Sequence, residues 1–116
     1  MIQMTMQVSD ELAQRCQCVG RWLPAVIELS FIGFRTLATA AGAEVIGFLS
    51  ENPSPEELLG FYMSESAQMR LRRLLALNEA GYLSEAENAE LDELQRLEHI
   101  IIMLKTQAAI SIRSKN

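Results

Sequence analysis

Residues 2–12 read IQMTMQVSDEL, and their interpretation decides the fold. Apolar Ile2, Met4, Met6 and Val8 alternate with polar Gln3, Thr5 and Gln7, the period of a half-buried strand. Ser9 then offers an N-cap, with Asp10 and Glu11 in the first turn of a helix, where carboxylates suit the dipole. A single strand leaves its backbone donors and acceptors unpaired, and an open strand edge recruits another strand. The pattern therefore predicts a strand whose partner must be found.

The following helices point to that partner. Leu12, Cys16 and Val19 give the first helix an apolar face, and Gly20 ends it. A second helix is expected to start near Pro24 and run to about Arg35. Leu23, Val26, Ile27, Leu29, Phe31, Ile32 and Phe34 cover nearly its whole circumference, which predicts burial against a copy of itself. The strand's partner is then expected to be the same strand of a second chain, with Ile2, Met4, Met6, Val8, Val26, Ile27 and Phe31 in the dimer contact.

Downstream, Val45, Ile46, Phe48 and Leu49 keep a helical stripe despite Gly42 and Gly47, predicting a short third helix over 40–50. Ser54, Pro55 and Glu57 form a capping box that opens a short helix ending about Gly60. The next helix runs from Ser66 to Ala80, with Met69, Leu71, Leu74, Leu75 and Leu77 inward, and Gly81 stops it. A second capping box, Ser84 with Glu87, opens a long helix from Glu85 to about Ile110. Leu91, Leu94, Leu97, Ile101, Met103 or Leu104, and Ala108 recur at three and four, so the last two helices should form a hairpin. The basic tail, Lys105, Arg113 and Lys115, suits the helix dipole. The expected fold is mainly α, with one amino-terminal strand pairing across a homodimer, organised as a dimerisation region at 1–38, a short-helix connector at 39–63 and a helical hairpin at 64–116.

At 116 residues the chain is one small domain, 49% apolar and 22% charged. Fifteen acids against ten bases give −5, which argues against nucleic-acid binding by bulk charge. The first forty residues are neutral, and the excess acid lies downstream. No stretch approaches the roughly 18 apolar residues of a membrane span. The start lacks a basic segment followed by an apolar run, so a cytoplasmic protein with no membrane partner is expected.

Catalytic readings find little support. There is no glycine-rich phosphate loop and no nucleophile with its base. Cys16, Cys18 and the lone His99 are too few for a metal site, and the cysteines read as reduced packing or surface thiols. Glu98 and His99 are consecutive and point about 100° apart on a helix, so His99 is expected to pack or hydrogen-bond. No catalytic residue, metal or cofactor is expected. Arg70, Arg72 and Arg73 read either as a solvated face pairing with Glu65 or Glu79, or as a phosphate contact.

Gln3, Thr5 and Gln7 also have two readings. If the apolar set faces a helical core, they point outward. A two-stranded ribbon fits the DNA major groove, where glutamine can bond adenine and threonine offers a hydroxyl and a methyl. They can equally be the wet side of an edge strand.

Strand, short helix and second helix over 2–35 resemble the ribbon-helix-helix family of dimeric repressors and antitoxins. That resemblance implies an obligate homodimer, operator contacts from Gln3, Thr5 and Gln7, and phosphate contacts by backbone amides from Leu23 and Ala25. In VGRWLPAV, Trp22, Leu23 and Pro24 stand where the family usually has a serine or threonine cap, and Pro24 lacks an amide donor. The remainder, AEVIGFLSENPSPEELL and RLLALNEAGYLSEAENAELDELQRLEHIIIMLKTQA, resembles a small, mainly cyanobacterial family of antitoxin-like proteins. It implies a carboxy-terminal helical part that masks a toxin, often a ribonuclease, with Arg70, Arg73, Glu90 and Glu93 as contacts. The competing expectation is a dimeric adaptor or structural protein that does not bind DNA.

Overall fold

Local capping sets most of the boundaries in the computed structural model, which describes residues 1–32 and 35–114. Helix α1 spans Asp10–Val19, and the Ser9 hydroxyl accepts from the Leu12 amide at 3.1 Å. A 3-10 turn, Gly20–Trp22, leads into α2, Leu23–Ile32. Helix α3 is Thr39–Ser50, and α4 is Pro55–Leu59 behind a complete Ser54 and Glu57 capping box. Helix α5, Glu65–Ala80, starts at a Ser64 cap and ends on left-handed Gly81. There the Tyr82 amide donates to Leu77 and the Gly81 amide to Asn78, at 2.9 and 3.1 Å, which is a Schellman motif. Helix α6, Glu85–Ser114, has 30 residues, a length of about 45 Å at 1.5 Å per residue, and matches the molecule's 47 Å long dimension.

The amino-terminal strand is not formed. Residues 1–9 have no regular structure, and no strand occurs among the described residues. The alternation fails for a physical reason: both of its sides face water. Ile2, Met4 and Met6 are as exposed as Gln3, Thr5 and Gln7, and Val8 is 38% exposed. With no apolar surface beneath one set and no ladder beside it, period two alone does not hold a strand. The chain is mainly helical, as expected, but the expected strand pairing across a homodimer, and with it the ribbon-helix-helix architecture, is overturned: no strand is formed among the described residues.

The rest of the chain packs around α6. Helices α4, α5 and α2 lie against it, and α3 lies against α1 and α2. Leu91, Leu94, Leu97, Ile101, Leu104 and Ala108 are all buried, as their spacing predicts, whereas Met103 is exposed. One buried cluster joins Trp22, Ala25 and Leu29 to Val45, Leu49 and Leu58 and to Leu71 and Leu74 on α5. The three regions drawn from the sequence thus share a single core. Each fully buried leucine in it contributes about 1.5–3 kcal/mol by the area it removes from water.

Two long-range locks hold the amino-terminal helices. The Trp22 indole N–H donates to the Pro53 carbonyl at 2.8 Å. Beside it, Gly20 at φ 70° lies so close to Asn52 that a Cβ would meet the Asn52 side chain at 2.8 Å. Neither is visible as a spacing. Helix α2 ends earlier than the expected Arg35, and the expectations for Phe34 and Lys115 fall outside the described residues. Helix α5 starts one residue before the expected Ser66, and its Met69 and Leu75 face water rather than the core.

Candidate functional site

The open end of the α5–α6 hairpin carries a groove. The connection after α4 brings Phe61, Tyr62 and Met63 across α6, because Phe61 stacks on Phe48 of α3 with ring centroids 4.3 Å apart. Gln68 of α5 donates its side-chain amide to the Met63 carbonyl at 2.6 Å, fixing the connection to the hairpin. Between these elements and α6 lies a groove of about 270 Å³, lined by Phe61, Tyr62, Met63, Gln68, Glu98, Ile101, Ile102 and Lys105. Met63 and Ile101 are buried in its floor, while Tyr62 at 69% and Ile102 at 55% stand exposed at its rim. The Lys105 ammonium sits 3.9 Å from the centre of the Tyr62 ring, a cation–π contact that orients the phenol. An apolar floor with one acid and one base at the edge suits an apolar side chain of a partner protein.

Of the four charged residues expected to meet a partner, Arg70, Glu90 and Glu93 make hydrogen bonds within the fold. Arg70 donates to Glu90 twice, Nε at 2.7 Å and Nη2 at 3.0 Å, in a bidentate pair that ties α5 to α6. The Glu90 side chain is only 5% exposed, and its hydrogen bonds hold the Arg70 pKa above the ordinary guanidinium value. Glu93, one turn on, accepts from the Arg35 amide at 3.1 Å and the Thr36 hydroxyl at 2.8 Å, pinning the start of the α2–α3 connection. Arg73 stays exposed. A cavity of about 210 Å³ beside the Arg70 and Glu90 pair is walled by Ala38, Ala41, Ala67 and Leu94. Arg70 pairs with neither Glu65 nor Glu79, because its fork reaches across the hairpin.

The residues expected to read DNA are scattered. Gln3, Thr5 and Gln7 lie on the irregular arm, Leu23 is half-buried at the start of α2, and Ala25 is buried in the core at 7% exposure. Among the described residues no strand ribbon orders the arm, and the Ala25 side chain is turned into the core. Of the expected dimer residues, Val26 packs on the core, while Ile27 and Phe31 are 41% and 85% exposed.

His99 is exposed rather than packed, in a shallow groove with Glu28, Asp92, Gln95, Arg96 and Ile100. Cys16 is half-buried and Cys18 exposed, and both are free thiols. Among the described residues no group of three or more His, Cys, Asp or Glu could hold a metal ion, and no helix is long and apolar enough to cross a membrane.

The groove itself was not legible in the sequence: Tyr62 and Lys105 are 43 positions apart, and each alone reads as a surface residue. No protein-family model, curated protein or solved structure matches the chain.

Proposed function

We propose that the chain is a regulator that acts by holding another protein, in the manner of an antitoxin's partner-masking part, and that it does so without reading DNA. The observation that carries this is the Tyr62, Ile102 and Lys105 groove, an exposed apolar seat on a hairpin whose own ion pairs are already satisfied within the chain. Charge narrows the partner: twelve acids stand against seven bases after residue 38, so a basic protein surface bearing an apolar side chain fits best. The irregular amino-terminal arm favours this adaptor-like form over an operator-binding one.

Affinity capture from the native cell, with bound protein and nucleic acid both identified, tests the reading. The wild type should retain a basic protein that Ile102→Glu loses, while Phe31→Glu, on a different helix, keeps it. Retention by Ile102→Glu, or capture of nucleic acid with no such protein, would refute it. The narrower expectation of a ribonuclease-type toxin is met if adding the chain stops RNA cleavage by the captured protein.

A further inference from the structure

The outer face of α2 has no use in that reading. Its inner side, Ala25 and Leu29, is in the core, yet its outer side exposes apolar Pro24, Ile27 and Phe31, while the exposed Glu28 lies in the groove with Asp92, Arg96 and His99. Pro24, Ile27 and Phe31 follow one another at three and four residues, so they form one stripe, and Phe31 is 85% exposed. The neighbouring Ser30 hydroxyl donates back to the Val26 carbonyl at 2.8 Å, so it brings no unpaired donor to a dry contact. A helix apolar on both sides is normally covered on both.

We infer that what covers this face is the same face of a second copy, packed helix against helix with no strand between them. Charge selects this occupant. A two-fold interface sets a patch against itself, so a patch with net charge repels its own copy. Residues 1–38 hold Asp10, Glu11 and Glu28 against Arg15, Arg21 and Arg35, a sum of zero, whereas the remainder of the chain holds the whole −5. The Glu11 carboxylate and Arg15 guanidinium already pair within α1 at 3.2 Å. The amino-terminal end is thus the part of the molecule that brings no net charge against a copy of itself, and it is the part with the uncovered helix. This inference stands apart from the groove on α6, since the two surfaces are on different helices.

Light scattering on the full chain tests it, in reductant so that Cys16 and Cys18 form no cross-link. The wild type should show about 26 kDa, twice 13.0 kDa. Ile27→Glu with Phe31→Glu should return the mass to 13.0 kDa with an unchanged helical circular dichroism spectrum. Phe31→Ser, which alters a side chain already in water, should weaken the dimer in the same direction if the double variant misfolds. Ile102→Glu should leave the dimer intact. A wild type that is monomeric at every concentration, or a dimer that survives both α2 variants while Ile102→Glu dissolves it, would overturn the inference.

Discussion

Glu90 shows what one residue decides. Its carboxylate is buried and depends on Arg70 for both of its hydrogen bonds. Removing one partner of a fully buried pair costs about 3–5 kcal/mol, and because Arg70 is itself 35% exposed, solvent screening reduces the expected loss for Arg70→Met to about 2 kcal/mol. The double variant Arg70→Met with Glu90→Leu should recover most of that loss in urea unfolding, since no charge is then left buried. A single variant as stable as the wild type would show that the pair carries nothing. Gly20 is decided by geometry alone. At φ 70° and against Asn52, Gly20→Ala should cost about 1–3 kcal/mol in the same assay, part of it recovered by Asn52→Gly, which clears the contact.

At the scale of elements, the helices differ in what supports them. Helix α1 has no buried residue, and Leu12 is 46% exposed, so Leu12→Ala should change stability by less than about 0.5 kcal/mol. Leu94→Ala, deep under α6, should cost about 3 kcal/mol. The start of α6 is pH-sensitive through its cap. Hydrogen bonds from the Ser84 amide and hydroxyl, with help from Arg70 and Arg73, hold the Glu87 carboxyl below the ordinary carboxylate pKa. A lowered folded pKa stabilises the fold above the unfolded value, and that contribution fades as pH falls through the folded one. Glu87→Gln should therefore lose stability at neutral pH and flatten the acid limb of a stability profile, converging on the wild type at low pH.

Caps were also the part of the fold legible in the sequence. Ser54 with Glu57, Ser84 with Glu87, Gly20 and Gly81 act over three to five residues, and the inner stripe of α6 is a single long period. Residues 2–8 misled because alternation describes a strand only where one side has something to lie on, and that surface is a property of the folded chain. The same limit hid Arg70 with Glu90, Trp22 with Pro53, and Tyr62 with Lys105, pairs set by how the helices cross rather than by spacing.

For the whole molecule, one core runs from Trp22 to Ala108, and what lies outside it is informative. Apolar residues left in water include the arm, the outer stripe of α2 and the rim of the α6 groove, with Leu37, Met69, Tyr82 and Ile110 placed singly elsewhere, so the continuous surfaces available for contact are helical faces plus an irregular arm. The central claim is that these helical faces, and no strand ribbon, are what the protein presents. Amide hydrogen exchange of the intact chain tests this most directly. The account predicts that residues 2–9 exchange as an unprotected peptide while the α6 amides beneath Leu94 and Leu97 exchange slowest. Protection of alternate amides across residues 2–8, the signature of a paired strand, would contradict it.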